Sequence, residues 1–191
     1  MTVFVKLLLD SIMEFIKRDY EEEDVRIEVI GSSVSVPLHE GFTEITRGAE
    51  YIVPRWLAKI LEKKGIARIK TEEISIERLS SIAYNEESLV QKLQLTKLPR
   101  YFYVDNSLLL RELKNKVRET TELSLLEEYK QREDLFLTIA RLRLRKMLNF
   151  ILLPAVPQEI IEKLSEEEKL LLHVLRGIIE SWTKSLGIEK S

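Results

Sequence analysis

The sequence predicts an α+β fold, in which a small N-terminal β-rich domain is followed by a larger all-α helical bundle domain. Apolar residues alternate with polar ones between residues 25 and 45, as in half-buried strands. From residue 98 onward they recur every three or four residues, as in amphipathic helices. Residues 50–69 join the two patterns, because they predict a strand, a short helix and another strand.

These patterns divide the chain into four predicted parts. They are an N-terminal amphipathic helix (1–22), the small β-rich domain (23–70), a connecting helical segment (71–97) and a helical assembly domain (98–191). In the β-rich domain, the period of two predicts strands around Val25–Val29 and Val34–Leu38, and Phe42 with Ile45 predicts a third.

The short helix has clear start and stop signals. Pro54 fits the first helical turn, where its missing N–H costs nothing, and Gly65 can take the left-handed conformation that ends a helix. Trp56 is either a surface contact or a core residue, and we favour the core. The predicted apolar face is formed by Leu57, Ile60 and Leu61.

The helical half has its own boundary signals. Asp105 or Asn106 is predicted to cap one helix, and Pro154 and Pro157 force a long helix to end. Ser165 opens the last helix, with Glu168 completing a capping box, and Gly187 ends it. The apolar arc of this helix is wider than one stripe, which fits either a second subunit or a helix central to a self-contained bundle.

Composition favours one or two globular domains, because 45% of the 191 residues are hydrophobic and 32% are charged. The net charge of −2 gives no whole-chain attraction for nucleic acid or membranes. The chain has no cysteine and no phosphate-binding, dinucleotide or zinc-protease motif, and neither His39 nor His173 has an evident partner. We therefore predict no enzyme and no catalytic, cofactor or metal site. Charged residues interrupt the apolar N-terminal segment, so we expect a cytoplasmic protein.

Two basic clusters remain. One comprises Lys63, Lys64, Arg68 and Lys70, and the other comprises Arg141, Arg143, Arg145 and Lys146. Alternate positions on a helix point about 200° apart, so Arg141, Arg143 and Arg145 cannot all line one groove. We expect one or two of them to pair with acids such as Glu133 or Asp134. The alternative is a DNA-binding or chromatin-associated protein that uses these local clusters.

Three segments resemble subunits of the GINS complex, most closely archaeal ones of the class with the β-rich domain first. They are VPRWLAKILEKKGIARI (53–69), LPRYFYVDNSLLLREL (98–113) and REDLFLTIARLRLRKM (132–147). The residues before the first strand depart from that pattern. The resemblance implies a non-catalytic scaffold at replication forks on chromosomal DNA. Its implied partners are a sister GINS subunit within a heterotetramer, the MCM helicase and a RecJ-like or Cdc45-like protein, with at most weak DNA contact.

The resemblance also implies which surfaces meet partners. In the helical domain we expect contacts from Leu135, Phe136, Ile139 and Leu142, or from Leu172, Ile179 and Trp182 on the last helix. In the small domain, a docking module, the candidate surface contacts are Tyr51, Arg55, Lys63 and Lys64.

Overall fold

The α+β fold is confirmed by a computed structural model, which describes residues 2–38, 41–70, 73–88, 94–120 and 122–187. The chain divides into two compact units, Met1–Glu73 and Ile74–Ser191. The elements of the first unit are α1 (Thr2–Glu22), β1 (Asp24–Val29), β2 (Val34–Leu38), β3 (Gly41–Ile45), β4 (Glu50–Pro54), α2 (Arg55–Lys63) and β5 (Ala67–Ile69).

The first unit is built around the strand β1. β4 and β5 pair with its two edges in antiparallel fashion, so Ile27 lies opposite Tyr51 on one side and Ile69 on the other. β2 and β3 form a separate antiparallel pair. The two sheets share one apolar core with α2, formed by Val25, Ile27, Val29, Val36, Ile45, Val53, Leu57, Ala58, Leu61 and Ala67. The predicted strands are therefore present. Alternate side chains are buried or half-buried in β1 and β2, whereas in β3 Ile45 is buried and Phe42 is 81% exposed.

The helix α2 confirms its predicted stop and corrects its predicted face. Pro54 is the N-cap, and Gly65 has a φ of +68°, the left-handed conformation expected of a helix-ending glycine. Trp56 was expected in the core but is 36% exposed, and Ile60 is exposed with it. The reason is that Leu57 and Leu61 face the core. Trp56 and Ile60, also four residues apart, therefore lie on the adjacent, exposed side of the helix.

The helix α1 packs on α2 through its last turns. Ile16 and Tyr20 are buried, and the Arg55 guanidinium lies 4.0 Å from the centre of the Tyr20 ring. Arg55 also donates to the Tyr20 carbonyl at 3.2 Å and forms an ion pair with Glu23. A cation over an aromatic face and a charge-assisted hydrogen bond thus hold the end of α1.

The second unit is helical. Its elements are α3 (Ile76–Ser88), α4 (Phe102–Glu119), α5 (Leu123–Ile151), α6 (Gln158–Ile161) and α7 (Glu166–Ser185). α3, α4 and α7 each pack against α5. Pro154 and Pro157 follow the end of α5, as predicted. None of the helices in the described ranges is long and apolar enough to cross a bilayer.

The helix ends show where local signals decide and where they fail. The capping box at the start of α7 is confirmed, because Ser165 and Glu168 exchange backbone-to-side-chain bonds of 3.1 and 3.3 Å. Gly187, with a φ of +71°, follows the end of α7. The predicted cap of α4 by Asp105 or Asn106 is wrong: the helix begins at Phe102, and the Asn106 amide donates back to the Phe102 carbonyl.

Gly31 lies where backbone segments approach closely. A Cβ at this position would meet the Ile66 Cα at 2.9 Å and the Gly65 carbonyl oxygen at 3.0 Å. We predict that Gly31→Ala lowers the free energy of unfolding by about 1–3 kcal/mol, because two backbone segments must separate. Gly177→Ala is the matched control, since its Cβ meets nothing within 4 Å. It should stabilise its helix by roughly 0.5–1 kcal/mol.

Thermal and urea denaturation of the two variants measure both changes. If Gly31→Ala were as stable as the unsubstituted chain, the close approach of the Gly31 and Ile66 backbones would not constrain the first unit.

Candidate partner-binding surface

The arrangement of the helical unit depends on one buried guanidinium, that of Arg143 on α5, which is fully buried. Its Nε and Nη2 atoms each donate to an oxygen of Glu168, both at 2.6 Å. Its Nη1 atom donates to Glu86 Oε1 and to the Thr96 carbonyl, both at 2.8 Å. The Lys163 carbonyl accepts a further bond from Nη2 at 3.1 Å. α3, α7 and the segments preceding α4 and α7 thus all meet this side chain.

A second buried cation lies one turn further along α5. Lys146 donates from Nζ to Glu86 Oε2 and to the Glu86 carbonyl, both at 2.7 Å. Glu86 is itself fully buried, so two cations oppose two carboxylates inside the unit. We call Glu86, Arg143, Lys146 and Glu168 the buried ion cluster. Buried charges persist only when they are paired and hydrogen-bonded in this way.

The pKa shifts around the cluster follow from burial and from these partners. Burial alone would lower the pKa of Arg143, but the hydrogen bonds and charges of Glu168 and Glu86 raise it overall. The Tyr103 hydroxyl donates to Glu168 at 2.8 Å, and burial together with that carboxylate raises the Tyr103 pKa far above its usual range. Both side chains therefore act as hydrogen-bond donors at every ordinary pH.

Glu167 caps the N-terminus of α4, where the residues of α4 itself provide no side-chain cap. Its Oε1 atom accepts hydrogen bonds from the backbone N–H groups of Tyr103 (3.1 Å) and Val104 (3.0 Å), in the first turn of α4. Its other oxygen is buried and has no hydrogen-bond partner among the described residues. Burial raises the pKa of Glu167. A carboxyl from the first turn of α7 thus satisfies two donors that a helix end leaves free.

The buried ion cluster confirms the prediction that one of the arginines at positions 141, 143 and 145 pairs within the chain. It also corrects the acids with which that arginine was predicted to pair. Arg143 pairs with Glu86 and Glu168, not with Glu133 or Asp134. Those two acids lie nine or ten residues earlier on the same helix, which is about 14–15 Å along its axis and beyond reach. Because Arg143 and Lys146 are buried, only Arg141 and Arg145 of the four basic residues between positions 141 and 146 remain on the surface.

An exposed leucine stripe runs along the opposite face of α5. Leu137, Leu144 and Leu148 are 42%, 44% and 49% exposed, and Leu152, just past the helix end, is 71% exposed. Positions 137, 144 and 148 fall within about 40° of one another around a helix and lie roughly opposite Ile139 and Phe150, which are buried. α5 is therefore apolar on two sides, of which this unit covers one.

The last helix continues the exposed apolar surface of the unit. Ile178, Trp182 and Leu186 recur every four residues and are 52%, 61% and 53% exposed. Nearer the start of α7, Leu172 is buried in an apolar core, and Leu175 and Ile179 pack partly against that core. The residues predicted to widen the apolar arc of this helix, Leu170, Leu172 and Ile179, are therefore buried or half-buried, whereas Ile178 and Trp182, predicted for its buried stripe, lie exposed towards its C-terminal end.

The predicted partner residues of the helical domain fall into three groups. Ile139 and Leu172 are buried in the chain's own core, so their expected exposure to a partner is corrected. Leu135, Phe136 and Ile179 are partly buried against that core, and Leu142 is half-buried. Trp182 is exposed. The leucine stripe was missed, although its spacing of seven and four residues is visible in the sequence.

The small domain gives a similar division. Arg55, expected on the surface, is buried because it pairs with Glu23 and lies over Tyr20. Tyr51 is half-buried, and its hydroxyl accepts a 3.1 Å bond from the Thr46 N–H. Lys63 and Lys64 are exposed as predicted. His39 lies outside the described residues, within which no group of His, Cys, Asp and Glu has metal-binding geometry.

We predict that Arg143→Met destabilises the protein by about 3–5 kcal/mol, because it leaves Glu168 buried without a cation and Glu86 paired with Lys146 alone. Arg141→Met is the matched control, since Arg141 is exposed on the same helix. It should change stability by no more than about 0.5 kcal/mol. Urea denaturation measures both, and equal effects would contradict a special role for the buried guanidinium.

We predict that Glu167 makes the stability of the protein depend on pH. Since burial raises its folded pKa, the native state binds this proton more tightly than the unfolded state. Stability from this group is therefore complete below the ordinary pKa of 4.5 and is lost as pH rises through the folded value. Glu167→Gln removes that loss, so it should gain stability relative to the unsubstituted chain across this window. Denaturation curves at pH 4, 6 and 8 test this, and a pH-independent difference would contradict it.

Comparison with known proteins assigns no family to this chain. No protein-family model matches it, and no curated protein matches it significantly.

Proposed function

We propose that the chain is a non-catalytic scaffold subunit of a GINS complex, which assembles with a sister subunit and supports the MCM helicase in DNA replication. Two features support this proposal. The three segments that resemble GINS subunits fall in the expected order along the chain, and the β-rich unit precedes the helical unit, as in the subunit class named above.

The observation that carries the proposal is the exposed leucine stripe of α5. Single exposed leucines are common on protein surfaces, but four along the last turns of one helix form an apolar patch of the kind that interfaces cover, which supports the proposal. Fully burying a leucine contributes about 1.5–3 kcal/mol, and these four are roughly half exposed. Covering them would favour association by roughly 3–6 kcal/mol before the cost of immobilising two chains. A second polypeptide over α5 provides that cover.

The positive charges beside the leucine stripe indicate the charge of a partner that would cover it. Arg141 and Arg145 are exposed and flank Leu144 and Leu148 on the same helix. Neither arginine forms an ion pair with a residue in the described part of the chain. The best complement is an apolar helix of the sister subunit with acidic residues at its margin, because complementary charges at an interface rim steer association and fix register.

The small unit is the proposed docking module for the helicase or for a RecJ-like or Cdc45-like protein. Its exposed face on α2 combines Trp56 and Ile60 with Lys63 and Lys64. Aromatic residues are enriched at interfaces, and exposed lysines favour acidic partners. In this role the chain acts through contacts on two separate units and not through an active site.

We predict that co-expression with the sister subunit yields a stable complex and that Leu144→Glu combined with Leu148→Glu abolishes it. Two carboxylates at the centre of the stripe would have to be buried without partners. Gln131→Glu combined with Asn149→Glu is the matched control, since both positions are exposed on α5 outside the stripe. Size-exclusion chromatography with light scattering measures the assembly, and circular dichroism checks that each variant is folded.

The proposal also implies that the chain alone self-associates or is poorly soluble. A monodisperse, stable monomer with no affinity for the sister subunit would contradict the scaffold role. Unchanged assembly in the double leucine variant would instead show that the stripe is not the interface.

A further inference from the structure

A cavity of about 430 Å³ opens beside the first half of α7. Its apolar wall comes from the turn after α5 and from the end of the α6 region, through Pro154, Val156 and Leu164, and Leu172 of α7 also lines it. It shares no residue with the leucine stripe. A volume of this size is within the range of about 300–1,000 Å³ that is typical of ligand pockets, so it can hold a large apolar group.

One side of the cavity carries a row of basic side chains. Lys169, His173 and Arg176 line it and lie at intervals of four and three residues on one face of α7. Among the described residues that line the cavity, none is acidic. An apolar hollow bordered by the Lys169 and Arg176 cations suits an apolar group attached to carboxylates, because the charges attract the carboxylates while the hollow removes apolar surface from water.

The contacts that these cations already make are weak enough to exchange. Lys169 lies 3.0 Å from Glu166 and Arg176 lies 4.0 Å from Glu180, and both acids are on the same helix. Arg176 also donates to the Pro154 carbonyl at 3.1 Å, which fixes its side chain at the cavity edge. Both pairs are partly open to solvent, and ion pairs near a protein surface contribute little, so carboxylates of a ligand can replace them.

The length of the row distinguishes a peptide from a small molecule. Seven residues of α-helix separate Lys169 from Arg176, which is about 10 Å at 1.5 Å per residue. A single free carboxylate can meet only one end of that row. Side chains of an extended chain alternate between two faces, so two acidic residues four positions apart share one face; they span about 13 Å, and their flexible side chains can meet both ends of the row.

We infer that this cavity binds an acidic peptide segment of a partner polypeptide, which inserts a large apolar side chain between two carboxylates. The carboxylates pair with Lys169 and Arg176, and the apolar side chain packs against Val156, Leu164 and Leu172. The inference does not rest on the proposed function, because the cavity and the leucine stripe are separate surfaces.

The test uses the full chain and a fluorescein-labelled peptide, Gly-Glu-Ser-Leu-Ser-Glu-Gly, in fluorescence anisotropy. We expect a dissociation constant below about 1 mM. Replacing both glutamates by glutamine, or the leucine by serine, should weaken binding at least about fivefold. Added salt should weaken the binding of the acidic peptide and leave the binding of the glutamine peptide unchanged.

Protein variants locate the site. Lys169→Glu and Arg176→Glu should each weaken binding at least about fivefold, whereas Lys184→Glu, an exposed position on α7 outside the cavity, should stay within about twofold. No binding at about 1 mM peptide, or equal loss in all three variants, would overturn the inference. Competition by free octanoate at the same concentration would also overturn it, because it would identify a site for small carboxylates.

Discussion

The burial of Arg143 constrains the helical unit more than any other interaction. A guanidinium has five N–H donors and no acceptor, and it keeps its charge inside a protein. All five donors find acceptors here, on Glu168, Glu86 and the carbonyls of Thr96 and Lys163. An apolar side chain at this position could pack in several ways. The planar fork accepts one arrangement, so it fixes α3, α5 and α7 and the segment before α4 at a common point.

That constraint also determines what the unit shows to its surroundings. Once Arg143 and Lys146 face inward, the rotation of α5 about its own axis is set, and Leu137, Leu144 and Leu148 must face outward. Turning the helix to bury those leucines would expose the apolar side chains of Ile139 and Phe150 and leave two carboxylates without cations. The exposed stripe is therefore a consequence of the buried ion cluster, which links the interior to the surface that the scaffold proposal uses.

Sequence patterns predicted the features that neighbouring residues decide. The stop at Gly65, the capping box of Ser165 and Glu168 and the alternating strands depend on residues within a few positions, and the structure confirms them. The errors come from long-range partners. Glu167 caps α4 from 64 positions away, and Glu86 meets Arg143 from 57 positions away. Periodicity shows that Ile139 and Leu144 lie on different faces of α5, but only tertiary packing decides which face is buried.

Glu168 illustrates how a local motif can conceal a long-range role. Its position three residues after Ser165 predicts the capping box, and that bond forms. The same carboxylate accepts both bonds of the Arg143 fork and the hydroxyl of Tyr103. The adjacent Glu167 has an unpaired buried oxygen and a raised pKa. Two carboxylates already balance Arg143 and Lys146, so a further negative charge nearby would have no cation of its own. Burial raises the pKa of Glu167, and the two backbone N–H groups of α4 that donate to its other oxygen are the polar partners of this carboxyl, so Glu167 caps α4 beside the buried fork without an ion pair.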